Sequence, residues 1–277
     1  DVAPSRGLGD VYKRQCLTWI FGVILKVNKW RNFMNTKNLK VAFTLAEVLI
    51  TLGIIGIVAA MTLPVLMGKY VERERITALK KTYSLLQQAF EIAVVKNGTP
   101  DSWGLSNDAD GSVRLGEILT KEFKVVNNCK TGTGCWPDIN YKYLNGKDWI
   151  NVNEYQTFYK IVLVDGTLMR FSASSPDCTI NNGSSKLLAN TCGIIGVDIN
   201  GFKRPNTVGV DYFNFWFTKY GIVPYGSQDN TTHAFQAQCR DKSIQTGLAC
   251  TSWVLTNENM DYLHCNDLSW SKTKCSK

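Results

Sequence analysis

The side chains best equipped for chemistry in this 277-residue chain are oxygen donors and thiols. Asp198, Asn200, Asn206 and Asp211 offer four hard oxygen donors within one short segment, the kind of set that holds calcium. The spacing is not that of an EF-hand, since counting from Asp198 the fifth residue is Phe202 and the twelfth Gly209. The same segment suits a turn equally: Asn200-Gly201 accepts left-handed backbone, and Asp and Asn side chains cap backbone amides. The sequence supports both readings, so the expected cofactor is either none or Ca2+.

Nine cysteines occur, and eight of them follow residue 67. They fall as neighbours: Cys129 and Cys135, Cys178 and Cys192, Cys239 and Cys250, Cys265 and Cys275. Zinc would favour tight Cys-x-x-Cys knuckles with suitably spaced histidines. Those knuckles are absent, and His233 and His264 have no partner spacing. Disulfides closing short loops are the better reading. Spacing alone leaves their connectivity open, and proximity favours neighbour pairing. Disulfides imply an oxidising compartment.

A catalytic apparatus finds little support. Gly-x-Ser-x-Gly, His-Glu-x-x-His and phosphate-binding glycine loops do not occur, so the chain is expected not to be an enzyme. The net charge of +8 invites a nucleic-acid reading, but residues 1–42 carry eight Lys or Arg against two Asp. The remaining residues hold 23 basic and 21 acidic side chains, a balance that predicts no basic groove and no nucleic-acid partner.

One carboxylate stands in an unexpected place. From Phe43 to Met67 the chain is almost wholly apolar, yet it contains Glu47. As a helix, Phe43 to Leu66 would reach ~36 Å, enough to cross a ~30 Å hydrocarbon core. Lys37 and Lys40 precede the run, and Lys69, Arg73 and Arg75 follow it, as in an uncleaved signal anchor. An acid there costs roughly 2.5–3.5 kcal/mol on insertion scales. Within the segment no Lys or Arg stands one helical turn from it, which points to a partner on another chain or to a newly made amino terminus. Gly53, Gly56 and Ala60 share one face and would permit close helix approach, or are incidental small residues.

Phe43-Thr44-Leu45-Ala46-Glu47, Gly56-Ile57-Val58-Ala59-Ala60 and Pro64 together resemble the N-terminal helix of type IV pilins and type II secretion pseudopilins. The resemblance implies that a prepilin peptidase cuts between Ala42 and Phe43 and that the new amine of Phe43 is N-methylated. Counting from Phe43, Glu47 is fifth and Pro64 twenty-second, matching the family's glutamate and helix-bending proline. It implies that Glu47 attracts the amine of an adjacent subunit during assembly. Ala42 departs from the glycine usual before the cut, which bears on processing. More weakly, Asp198 to Phe213 resembles a DxNGxxxPNxxGxDxF pattern of pilin-like heads.

The implied fold is α+β: a long N-terminal helix, half transmembrane and half amphipathic, on an antiparallel sheet head with a disulfide-rich C-terminal region. Residues 1–33 are expected to be non-native or upstream sequence, 34–42 the leader, 43–67 the membrane and assembly helix, and 68–277 the head. The implied partners are other pilin or pseudopilin subunits, the prepilin peptidase and methyltransferase, an inner-membrane assembly platform and lipid. The implied location is the bacterial inner membrane, single-pass with the head outside the cytoplasm, and then a pilus or pseudopilus. The alternative is a membrane-anchored adhesin or binding module that never polymerises.

Beyond Met67, Ile76, Leu79, Tyr83, Leu86, Phe90 and Ala93 recur at helical spacing, and Asn97-Gly98-Thr99-Pro100 ends the pattern. A short helix is expected over Val113–Phe123 and another near Ala249–Thr256. Thr157–Val164 and Thr167–Ser172 flank Asp165-Gly166, a hairpin signal. Gly193–Ile199, Tyr212–Thr218 and Ile222–Tyr225 complete an expected sheet of four or five strands. Alternation in Tyr212–Thr218 predicts one buried face, carrying Phe213, Phe215 and Phe217.

Overall fold

The computed structural model describes residues 45–241 and 245–276. The leader, the first 33 residues and Cys16 lie outside the described residues. The chain divides into two compact units, Asp1–Thr62 and Leu63–Lys277.

One helix, α1 (Leu45–Asn97), contributes to both. In the first unit its side chains are almost all exposed, including Leu49, Ile50, Leu52, Ile54 and Ile57. An exposed apolar helical surface is suited to a nonpolar solvent, and α1 is long and apolar enough to cross a membrane.

In the second unit α1 turns amphipathic, and Leu79, Leu86 and Ala93 are fully buried with Ile76 and Phe90 nearly so. It packs on a six-stranded antiparallel meander, β1 (Val125–Lys130), β2 (Tyr159–Leu163), β3 (Leu168–Ala173), β4 (Thr191–Asp198), β5 (Tyr212–Thr218) and β6 (Gly221–Pro224), paired in chain order. Tyr83 stacks on Phe215 at 5.6 Å between ring centroids, and Phe90 meets Phe217 edge-on at 5.8 Å. Helix α2 (Ala109–Thr120) is capped by Asp108, whose side chain accepts from the Gly111 amide, and adds Leu115 and Leu119 to the same core. Gly116 is required there: a Cβ would meet the Tyr159 ring at 2.2 Å.

The Asp165-Gly166 turn joins β2 and β3 as its sequence predicts, with Gly166 at φ +87°. Two expectations need correction. The sheet has six strands because β1 pairs with β2 through two irregularities in register, and its sequence VVNNCK lacks the alternation that would announce a strand. And β5 is buried on both faces, not one: Tyr212, Asn214 and Trp216 are as inaccessible as the three phenylalanines. The outer face is covered by a second apolar layer from long connections, with Trp136, Tyr141, Val152, Val208 and Leu248 around Tyr212 and with Leu188 and Tyr225 around Trp216.

Disulfides join Cys129 to Cys135, Cys178 to Cys192, Cys239 to Cys250 and Cys265 to Cys275. Three of them clip irregular segments to the sheet or to α3 (Thr251–Asn257). Such closures restrict the unfolded chain most where few backbone hydrogen bonds order the segment. His264 meets Glu72 of α1 at 2.6 Å, and Lys80 meets Glu258 at 2.7 Å, tying the C-terminal region to the helix.

Phe215→Ala removes a fully buried ring between β5 and α1 and should lower stability by about 3–5 kcal/mol in urea unfolding of the detergent-solubilised chain. His233 lies against Trp216 and Tyr225, and this burial pushes its pKa down from 6.5 to about 4. The unfolded chain therefore binds the extra proton first, and the contribution of neutral His233 is lost as pH falls from 6.5 towards 4. His233→Gln should flatten that part of the stability profile.

Candidate functional site

Glu47 stands in the first turn of α1, exposed, with Leu45, Val48, Leu49 and Ile50 exposed around it. Gly53 and Gly56 present bare backbone, and a Cβ on either would meet nothing within 4 Å. The helix assignment runs through Pro64 without interruption. Ala42 and Phe43, the residues of the expected cut, lie outside the described residues.

The four oxygen donors of the second unit do come together, between the end of β4 and the start of β5. Asp198 is completely buried. Its Oδ1 accepts from the backbone amides of Asn200 and Gly201 at 3.0 and 2.9 Å, and its Oδ2 accepts from the Tyr141 hydroxyl at 2.6 Å. Asp211, also fully buried, accepts from the amides of Asn206 at 2.8 Å and Thr207 at 2.6 Å. The Asn200 side-chain amide donates to Asp211 Oδ2 at 3.2 Å and to the Arg204 carbonyl at 3.3 Å. Gly201 and Asn206 take left-handed backbone, at φ +72° and +53°. Each carboxylate thus caps one end of the loop.

Burial, reinforced by the facing carboxylate of Asp211, raises the Asp198 pKa well above the usual carboxylate range. Burial raises Asp211 as well, against its two backbone amide donors and the charge of Arg75. The Tyr141 hydroxyl is pushed far up by burial and by Asp198, so it remains a donor at all accessible pH. Carboxylate oxygens engaged by N–H and O–H donors are arranged for capping. Asn200 and Asn206 each keep a buried amide oxygen with no hydrogen-bond partner. Among the described residues no group of three or more His, Cys, Asp or Glu has the geometry to hold a metal ion.

The chain matches no family model, no curated protein and no solved structure.

Three members of the polar network escape sequence reasoning. Tyr141 reaches Asp198 from a connection 57 residues earlier. Arg170 is buried on the outer face of β3, donating to the Tyr212 hydroxyl at 2.8 Å and to Asn214 at 3.2 Å, under the ring of Phe158. Lys160 is fully buried, with its ammonium on the carbonyls of Asn153 and Tyr155 at 2.7 and 2.9 Å, and burial lowers its pKa to about 8. The only signal for Arg170 and Lys160 is a cation inside each of two apolar strands, and Tyr141 has none. The network binds the outer layer to the sheet and holds the 198–211 loop in one conformation.

Asp211→Ala orphans three donors at once and should cost about 2–5 kcal/mol, with fast hydrogen exchange at the Asn206 and Thr207 amides. Asp211→Asn keeps one acceptor oxygen and should lose less than half as much. Equal losses from the two variants would contradict the capping role.

Proposed function

We propose that this chain is a structural subunit of a filament of the type IV pilin and type II secretion pseudopilin class, anchored through α1 and polymerising through it. The observation that carries this reading is the division of labour along one helix. Residues 45–62 present an exposed apolar surface interrupted by Glu47, whereas Ile76 to Ala93 form the core of an antiparallel α+β unit. A helix made only to anchor the head has no need of a carboxylate within its apolar run, since an acid at the bilayer centre costs roughly 2.5–3.5 kcal/mol.

In the proposed assembly, cleavage after Ala42 creates a cationic amine on Phe43, and Glu47 of one subunit meets the amine of its neighbour. In a medium of low dielectric constant such a pair forms only at the axial stagger that brings both charges together, so it sets subunit register. Gly53 and Gly56 allow neighbouring helices to approach. Pro64, which removes a backbone donor, provides a point at which the helix bends or loosens. Four disulfides suit a head outside the cytoplasm.

Glu47→Ala should leave membrane insertion intact and abolish incorporation into filaments, measured by shearing filaments from cells and blotting for the chain. Mass spectrometry of the assembled protein should show an N-methylated Phe43 at the amino terminus. Normal incorporation of the Glu47→Ala chain, or a terminus upstream of Phe43, would overturn the reading.

A further inference from the structure

The tip of the 198–211 loop carries side chains that its capping network does not use. Phe202 is 56% exposed, and Lys203 and Arg204 are exposed beside it. The base beneath them is fixed from both ends, by Asp198 on Asn200 and Gly201 and by Asp211 on Asn206 and Thr207. Gly201 is seated against the β2–β3 turn so closely that a Cβ would meet the Gly166 carbonyl at 2.4 Å. An aromatic ring and two cations are therefore held out to solvent by a preordered loop.

Beside this tip lies a cleft of about 340 Å3, between Asn200, Lys203 and Arg204 on one side and Val71, Arg75 and Ala78 of α1 on the other. Glu74 and Asp165 also line it, and Asp165 is already paired with Lys81 at 2.7 Å. Among the described residues, Arg75, Lys203 and Arg204 make no ion pair. Three cations thus face Glu74, with the buried Asp211 also within electrostatic reach of Arg75, and the balance of the cleft is positive.

Its position along α1 is informative. The apolar run ends at Met67, and Val71 and Arg75 follow four and eight residues later. At helical rise those steps are about 6 and 12 Å. The headgroup layer adds roughly 5–7 Å to each side of the hydrocarbon core, and the field of anionic lipids reaches about one Debye length, ~8 Å, beyond it. Val71 therefore falls at the outer edge of the headgroup layer and Arg75 roughly 5–7 Å beyond it, within the field of anionic lipids and the reach of a long side chain, provided the run ending at Met67 is the membrane span.

We infer that the cleft and the Phe202-Lys203-Arg204 tip form a headgroup site for an anionic phospholipid. Arg75, Lys203 and Arg204 take the phosphate, Arg offering a fork of donors to its oxygens, and the Phe202 ring enters the interface beside them. The inference rests on the membrane-anchored part of the proposal above. It gives the head a docked orientation on the bilayer before assembly.

The full chain, reconstituted in vesicles of phosphatidylcholine alone or mixed with phosphatidylglycerol, tests this by hydrogen exchange over residues 199–206. Exchange should slow only when phosphatidylglycerol is present, and the protection should weaken at high salt. Lys203→Gln and Arg204→Gln replace exposed side chains, and each should weaken the apparent phosphatidylglycerol affinity about fivefold. Equal exchange of the unaltered chain in both vesicles overturns the inference whatever the variants do. Protection by inorganic phosphate in phosphatidylcholine vesicles would assign the cleft to a free anion, and protection that depends on protein density alone would assign it to a second copy; either overturns the lipid site. Carbonate extraction reads the anchor separately. A chain released by carbonate defeats the anchored reading, whereas a retained chain with no phosphatidylglycerol effect defeats only the headgroup site.

Discussion

Contact between the apolar stripe of α1 and the phenylalanines of β5 is the interaction on which the second unit depends. Phe213, Phe215 and Phe217 lie on the inner face of β5, where Tyr83 stacks on Phe215 and both Phe90 and Trp103 meet Phe217. Burying each such ring contributes about 1.5–3 kcal/mol relative to leaving it exposed. The same strand pairs with β4 along its whole length and with β6 on its other side, so the helix contact and the sheet ladders reinforce one another. Elements farther out, β1 and α2, join this core through Phe171, Tyr159 and Leu115.

The outer face of the sheet is stabilised differently. Its covering layer consists of connections with little regular structure, and its apolar contacts are interrupted by Asp198, Asp211, Arg170 and Lys160. Buried charges of this kind destabilise a fold unless each finds donors or acceptors of suitable geometry. Here backbone amides and the Tyr141 hydroxyl donate to the carboxylates, while the Tyr212 hydroxyl accepts from Arg170 and backbone carbonyls accept from Lys160, so the irregular backbone and the buried polar groups satisfy one another. Cys129–Cys135 and Cys178–Cys192 act on the same connections, limiting the freedom of segments that have few ladder hydrogen bonds.

Helical periodicity from Ile76 to Ala93 was legible because its apolar residues all join one core on one face of the helix and so retain a strict spacing. The Asp165-Gly166 turn was legible because its backbone demands glycine at a positive φ. β1 was not, since an edge strand with three exposed residues in succession has no apolar alternation to read. The burial of Tyr212, Asn214 and Trp216 was hidden for a related reason. Their cover comes from residues 136–152, 188, 208 and 248, and no local pattern reports a contact made across such separations.

By itself the sequence determined the long helix, its change from wholly apolar to amphipathic, the antiparallel character of the sheet and the supply of cysteines. Those properties follow from local periodicity and composition, which act within a few residues. Only the tertiary structure decided which groups of the protein the carboxylates of Asp198 and Asp211 engage. A run of Asp and Asn offers oxygen atoms alike to a cation or to an amide. The deciding partners, Tyr141 and the loop's own backbone N–H groups, reach those oxygens only in the folded chain.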